Sequence, residues 1–173
     1  MEILVLGNEL LYKKAQAIKH IGPEYIKIAE DLINTLHEGK GIGLAGPQVG
    51  LLERIFAIHV EGDIPRIFIN PSIIETSQEM IKYEEGCLSV PGIYADVIRP
   101  QTVKVQAWNE KGRPFTLEAS GLIARVILHE YDHLEGMLFI DHLSQQKRNR
   151  LLSKMEKATL RKDSLKSGGR KKM

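Results

Sequence analysis

Residues His129-Glu130-Tyr131-Asp132-His133 have a spacing that can do chemistry if the segment is helical. Histidines at i and i+4 share one face of a helix, so both imidazoles reach a single metal ion. The intervening Glu130 then faces the space beside that ion, where a carboxylate can take a proton from water. Placing His, Glu, Asp and His in one turn of an otherwise apolar helix is costly unless the buried groups find partners. A metal site accounts for that grouping better than a pair of surface histidines does.

A hydrolytic metal site needs a third protein ligand and one position left open for water. In the pattern His-Glu-x-x-His-x-x-Gly-x-x-His, Gly136 fits but Phe139 stands where the third histidine should be, and His142 comes too late. The better candidate is Cys87, within Glu84-Glu85-Gly86-Cys87-Leu88-Ser89-Val90-Pro91-Gly92. A thiolate is a strong donor for a divalent transition metal. Alone, Cys87 reads as a small core residue; beside the helix motif it completes a ligand set of Cys87, His129 and His133.

The loop Gly41-Ile42-Gly43-Leu44-Ala45-Gly46 formally matches a dinucleotide-binding fingerprint. That site requires a strand before the loop and a helix after it. Here a helix precedes and Pro47 leads toward a strand, so the match fails. Its glycines instead let the backbone pass close to a ligand. Gln48, just beyond, offers an amide donor that can serve an oxyanion.

The elements that must hold these residues follow from periodicity. Gly22-Pro23 opens a helix to about His37, with Ile26, Ala29, Leu32, Ile33 and Leu36 at helical spacing and Gly39 ending it. Strand-like runs follow at residues 54–60, 66–69, 73–74 and 102–108. The last alternates Val103, Val105 and Ala107 with polar neighbours. Asn109-Glu110-Lys111-Gly112 turns the chain into a strand over residues 114–118, making a hairpin. From Ser120 the pattern is helical, and a last amphipathic helix from about Ser144 buries Leu151, Leu152, Met155 and Leu160. Beyond Lys162 the polar sequence, ending Ser-Gly-Gly-Arg-Lys-Lys-Met, reads as disordered. The expected class is α+β, with antiparallel strands packed around a central motif-bearing helix and with N-terminal and C-terminal helices.

A chain of 173 residues fits one main core. No apolar run is long enough for a membrane span, and the first residues resemble neither a signal nor a transit peptide. One cysteine excludes an internal disulfide and makes a reducing cytoplasm the expected location. Charge is uneven: residues 144–173 hold eleven Lys/Arg and two acidic residues, +9, so the overall +2 leaves −7 on residues 1–143. A basic tail on an acidic body points to a polyanionic partner, or to a solvated helix end.

Three segments together resemble peptide deformylase: Gly41-Ile42-Gly43-Leu44-Ala45-Gly46-Pro47-Gln48-Val49-Gly50, Glu85-Gly86-Cys87-Leu88-Ser89, and His129-Glu130-Tyr131-Asp132-His133-Leu134-Glu135-Gly136. The resemblance implies a bacterial, cytoplasmic metallohydrolase of co-translational processing. It would remove the N-formyl group from the N-terminal formyl-methionine of new proteins. Residues 1–145 would form the catalytic domain and 146–173 a basic helix and tail. Cys87, His129 and His133 would bind one divalent metal, Fe(II) natively, with Zn, Ni or Co as substitutes. Glu130 would act as general base and then acid, with Gln48 and the Leu88 backbone N–H forming the oxyanion hole. Gly43 and Glu85 would hold the peptide backbone, and Ile42 and Leu122 would border the methionine pocket. The partners implied are nascent N-formyl-methionyl peptides and, through the basic C-terminal segment, the ribosome; no membrane is implied.

The chain departs from the family pattern at four places. Gly46 stands where alanine is usual, which should loosen the loop, and Leu128 where glutamine is common. Arg125 and Tyr94 occupy positions where members vary between apolar, arginine and other residues. Two rivals remain: a metallopeptidase using the same helix motif, and a structural-metal protein with His142 as fourth ligand and the tail on nucleic acid.

Overall fold

The structure, a computed structural model, describes residues 1–168. Helix α1 spans Glu24–Glu38 and buries Tyr25, Ala29, Leu32 and Leu36 on one face, the apolar stripe of an amphipathic helix. Gly39 caps it in right-handed geometry; the chain reverses at Lys40, whose φ is 57°. Strand β1 (Gly43–Ala45) follows, then a 3-10 turn at Gly46–Val49 and β2 (Ile55–Ile58). Strands β3 (Arg66–Thr76), β6 (Thr102–Trp108) and β7 (Pro114–Ser120) complete a five-stranded sheet of order β1-β2-β3-β6-β7, antiparallel throughout.

All four residues of β2 are buried because both faces of the sheet are covered. Ile55 and Ala57 face α1, among Leu32, Leu36, Ile67 and Ile69. Phe56 and Ile58 face the other way, onto helix α2 (Gly121–Leu134), among Phe68, Val103, Val105, Ala124 and Ile127. Phe56 and Phe68 stack with centroids 4.7 Å apart. Each face thus pins one helix, and α2 is the helix that carries the histidine motif.

Residues 66–69 and 73–74 belong to one strand. The interruption is a bulge at Asn70, φ 48°, whose side chain accepts from Ile18 N at 2.8 Å and donates to Ile18 O at 2.8 Å. Strands β4 (Met80–Cys87) and β5 (Val90–Pro100) form a separate hairpin that periodicity did not reveal. Every second residue of β5 from Ile93 is buried, namely Ile93, Ala95, Val97 and Arg99, whereas β4 is exposed along most of its length. Beneath β5 lie Leu11, Phe139 and Ile140, and helix α3 (Gln145–Gly168) packs there through Leu151, Leu152 and Met155. Leu160, expected to be buried with them, is 68% exposed. Helix α3 continues past Lys162 to Gly168, so the expected disorder does not begin there; residues 169–173 lie outside the described residues. Among the described residues, no helix is long and apolar enough to cross a membrane.

Candidate metal centre

Helix α2 packs against β1 of the large sheet and β5 of the hairpin. It ends in a Schellman motif: Gly136 N–H donates to His133 O at 3.2 Å and Met137 N–H to Asp132 O at 2.9 Å, with Gly136 at φ 73°. A side chain at Gly136 would also meet Tyr12 O at 2.6 Å. The motif's last turn is therefore closed on a glycine that nothing else can replace.

The donor atoms of Cys87, His129 and His133 lie within 4.8 Å of one another. Cys87 Sγ is 3.4 Å from His133 Nε2. Donors about 2.0–2.3 Å from one tetrahedral ion stand roughly 3.3–3.6 Å apart, so this spacing suits a shared ion. Burial would raise the Cys87 thiol, but His133 and His129 outweigh it and hold the thiol well below its ordinary value. A thiolate among imidazoles is a donor set whose protons a divalent cation displaces. The residues fit a metal.

His129 Nδ1 stands 3.0 Å from Glu85 Oε2, which leaves Nε2 for the ion. Glu85 is itself buried between two guanidinium groups. Arg99 donates to it at 2.6 and 3.1 Å, and Arg125 at 3.0 Å. Burial works to raise its carboxyl, yet the bonds from His129 and Arg99 hold it far below the usual carboxylate range. Arg99 continues to Asp132 at 2.8 Å, and Asp132 to His142 at 2.7 Å. His142 is thereby engaged away from the cluster, and the donor group among the described residues does not contain it. A closed structural site with His142 as fourth ligand does not form.

Glu130 is 3% exposed, and among the described residues its Oε2 has no hydrogen-bond partner. Burial pushes its carboxyl up to about 7, against the pull of both histidines. A carboxylate poised near neutrality is suited to moving protons. Its neighbour across the cleft is Gly43: a Cβ there would fall on Glu130 Oε1 and lie 2.8 Å from Val126 Cγ1. Only glycine lets β1 pass this close.

Gln48 is 1% exposed and rigidly held. Its Oε1 accepts from Ala45 N at 2.8 Å, and its Nε2 lies 3.1 Å from Ser89 Oγ and 3.5 Å from Cys87 Sγ. The expected loosening at Gly46 does not occur. The space a methyl would take is filled by Leu51 O, 2.6 Å from the Cβ position, and by Glu53 O at 3.0 Å.

Ile42, Gly43, Gln48, Glu85, Cys87, Leu88, Leu122, His129 and Glu130 all line one cleft of about 430 Å³. His133, 1% exposed, is the one expected site residue that does not line it. Ile42 and Leu122 are half-exposed at the rim. The Glu85 side chain is fully engaged with His129 and the arginines, so only its backbone is free to meet a peptide. Sequence reasoning missed the arginines as parts of the site. Arg125 donates to Glu85, Val97 O and Ile81 O, fastening α2 to the β4–β5 hairpin. The alternation of Ile93, Ala95 and Val97, which points Arg99 inward, was the available signal.

A sequence profile described as polypeptide deformylase matches residues 1–149. The chain belongs to the polypeptide deformylase family. It is 46% identical over 140 residues to a peptide deformylase of Clostridium botulinum, covering 81% of this chain and 94% of that protein. A Neisseria meningitidis peptide deformylase is 45% identical over 159 residues, 91% of this chain and 95% of its own. In fold, the chain matches a peptide deformylase of Synechococcus elongatus crystallised with actinonin at a TM-score of 0.85 and 39% identity, covering 90% and 85% of the two chains. The Legionella pneumophila peptide deformylase matches at 0.87 with 34% identity, covering 94% and 96%. The chain is thus a hydrolase of a metal-dependent family that removes the N-formyl group from nascent peptides.

Proposed function

We propose that Cys87, His129 and His133 hold one divalent ion, Fe(II) in the native enzyme, with Zn, Ni or Co able to replace it. When bound, such an ion supplies Lewis-acid chemistry, making water acidic enough to attack a carbonyl at neutral pH. The observation that carries this reading is the convergence of the three donors within 4.8 Å beside the unpartnered Glu130 carboxylate.

Glu130 accepts the proton of the attacking water and passes it to the departing amine of methionine, and formate leaves. Gln48 Nε2 and the Leu88 N–H donate to the oxygen that gains charge in the transition state. Glu85 fixes the His129 ring and its tautomer. The peptide lies extended along the open edge of β1, with its methionine side chain toward Ile42 and Leu122. The close approach of Gly43 to Glu130 leaves room for a formyl hydrogen and too little for an acetyl methyl.

Residues 1–145 carry this catalysis, and residues 146–173 add a basic segment that docks on ribosomal RNA phosphates. Arg148 pairs with Asp141 at 3.1 Å, so Lys147, Arg150 and Lys154 open the docking run on α3, which Lys157, Arg161 and Lys162 continue. Reversing the first three should weaken co-sedimentation with ribosomes; unchanged co-sedimentation would refute the docking. A cytoplasmic location follows from that partner.

Formate release from N-formyl-methionyl peptide, against its N-acetyl counterpart, tests the reaction in anaerobically purified enzyme. Release from the first alone supports the reading. Equal cleavage of both, or cleavage of internal peptide bonds instead, would refute it.

A further inference from the structure

A peptide paired along the open edge of β1 has two directions in which to extend. Ala45 and the turn after it are buried, whereas Ile42 and Lys40 are exposed. A formyl-methionine seated beside Gly43 and Glu130 must therefore extend its chain toward Gly41 and Lys40.

Lys40 lines this exit. It holds a left-handed backbone, φ 57°, between Gly39 and Gly41, a conformation that glycine or asparagine adopts at less cost. A strained lysine at a ligand-binding turn points to a use for its side chain. Among the described residues its ammonium has no ion-pair partner. The cleft's other cation, Arg125, is buried and bonded to Glu85. Glu84 also lines the cleft, beside Tyr83, which Arg125 approaches to 5.7 Å from the ring centroid. Of Lys40 and Arg125, Lys40 is thus the cation able to meet a charged residue of the peptide.

We propose that Lys40 selects among nascent chains, favouring those with an acidic residue at the third or fourth position. This rests on the deformylase reading above. Extended chains advance about 3.3 Å per residue, so a peptide running from Gly43 to Lys40 brings its third and fourth residues beside the ammonium. Opposite charges there attract and like charges repel, with the strength expected of a solvent-accessible pair.

The test uses formyl-Met-Ala-X-Ala and formyl-Met-Ala-Ala-X peptides, with X as Asp, Ala or Lys, on the full-length metal-loaded enzyme. The readout is the ratio of kcat/KM for Asp over Lys within each variant, which cancels any general loss of activity. Wild type should favour Asp by about five-fold at low salt, and the ratio should shrink toward one at high ionic strength. Lys40→Met should flatten it, and Lys40→Glu should invert it. A ratio that is the same in wild type and Lys40→Glu, or that ignores salt, would overturn the proposal. Failure to release formate from any peptide is a separate result, and it would remove the deformylase reading itself.

Discussion

Glu85 Oε2 lies 3.0 Å from His129 Nδ1, and the same carboxylate is held by Arg99 and Arg125. One anion thus fixes the ring of a proposed metal ligand and pairs with two buried cations. Glu85→Ala removes the anion, leaving Arg125 without a carboxylate partner and Arg99 with Asp132 alone, a change that costs about 3–5 kcal/mol. The thermal midpoint should fall steeply. Glu85→Gln keeps the shape and loses the charge, and should weaken metal binding by about 10- to 100-fold in a chelator competition. Unchanged metal affinity in a folded Glu85→Gln enzyme would assign Glu85 a purely structural role.

Glu130 is distinct from the three converging donors because its Oε2 has no hydrogen-bond partner among the described residues and its ordinary acidity is suppressed by burial. Glu130→Ala should retain the metal and lose formate release by on the order of 10²–10⁴-fold. Metal analysis showing an empty site in that variant would move Glu130 into the ligand set.

Gly43→Ala places a methyl on the Glu130 carboxylate and against Val126. The carboxylate has to move, and a displacement of about 1 Å in a catalytic group costs about 100-fold in rate. Metal content should stay at the wild-type level while kcat falls. Wild-type kcat in Gly43→Ala would show that β1 yields more readily than the packing suggests.

Tyr25 provides a pH test away from the metal. Its hydroxyl donates to Glu53 at 3.0 Å, and burial together with that carboxylate raises its pKa from 10.0 to about 12. The fold binds this proton more tightly than the unfolded chain does. Its contribution is therefore complete below pH 10 and is lost as pH rises toward 12. Urea midpoints should fall further between those pH values in wild type than in Tyr25→Phe. Parallel curves for the two proteins would contradict the assignment.

Much of the fold was legible because it obeys simple periods. The i, i+4 histidines and the stripe on α1 follow the helical repeat, and β6 alternates cleanly because one face meets α2. The β4–β5 hairpin was hidden for a physical reason. Strand β4 is mostly exposed and lacks an apolar alternation, and its attachment to α2 runs through Arg125 and Arg99 rather than through hydrophobic contacts. Buried arginines look like surface residues in a sequence, so the cage around Glu85 was invisible although the three converging donors were named. Asn70 and Lys40 were hidden similarly, since a left-handed non-glycine leaves no local pattern. The Gly46 reading failed because tightness there is set by carbonyls of residues that follow in sequence but pack back over it.

The central claim is that one metal ion, held by Cys87, His129 and His133, supports the hydrolysis. The direct measurement titrates chelator-stripped enzyme with Fe(II) or Ni(II) under anaerobic conditions, recording bound metal and formate release on the same samples. Activity should rise in proportion to metal and stop at one ion per chain, while folded Cys87→Ala and His133→Ala neither bind tightly nor turn over. Full formate release from stripped enzyme, or none from folded enzyme carrying one ion per chain, would contradict the account.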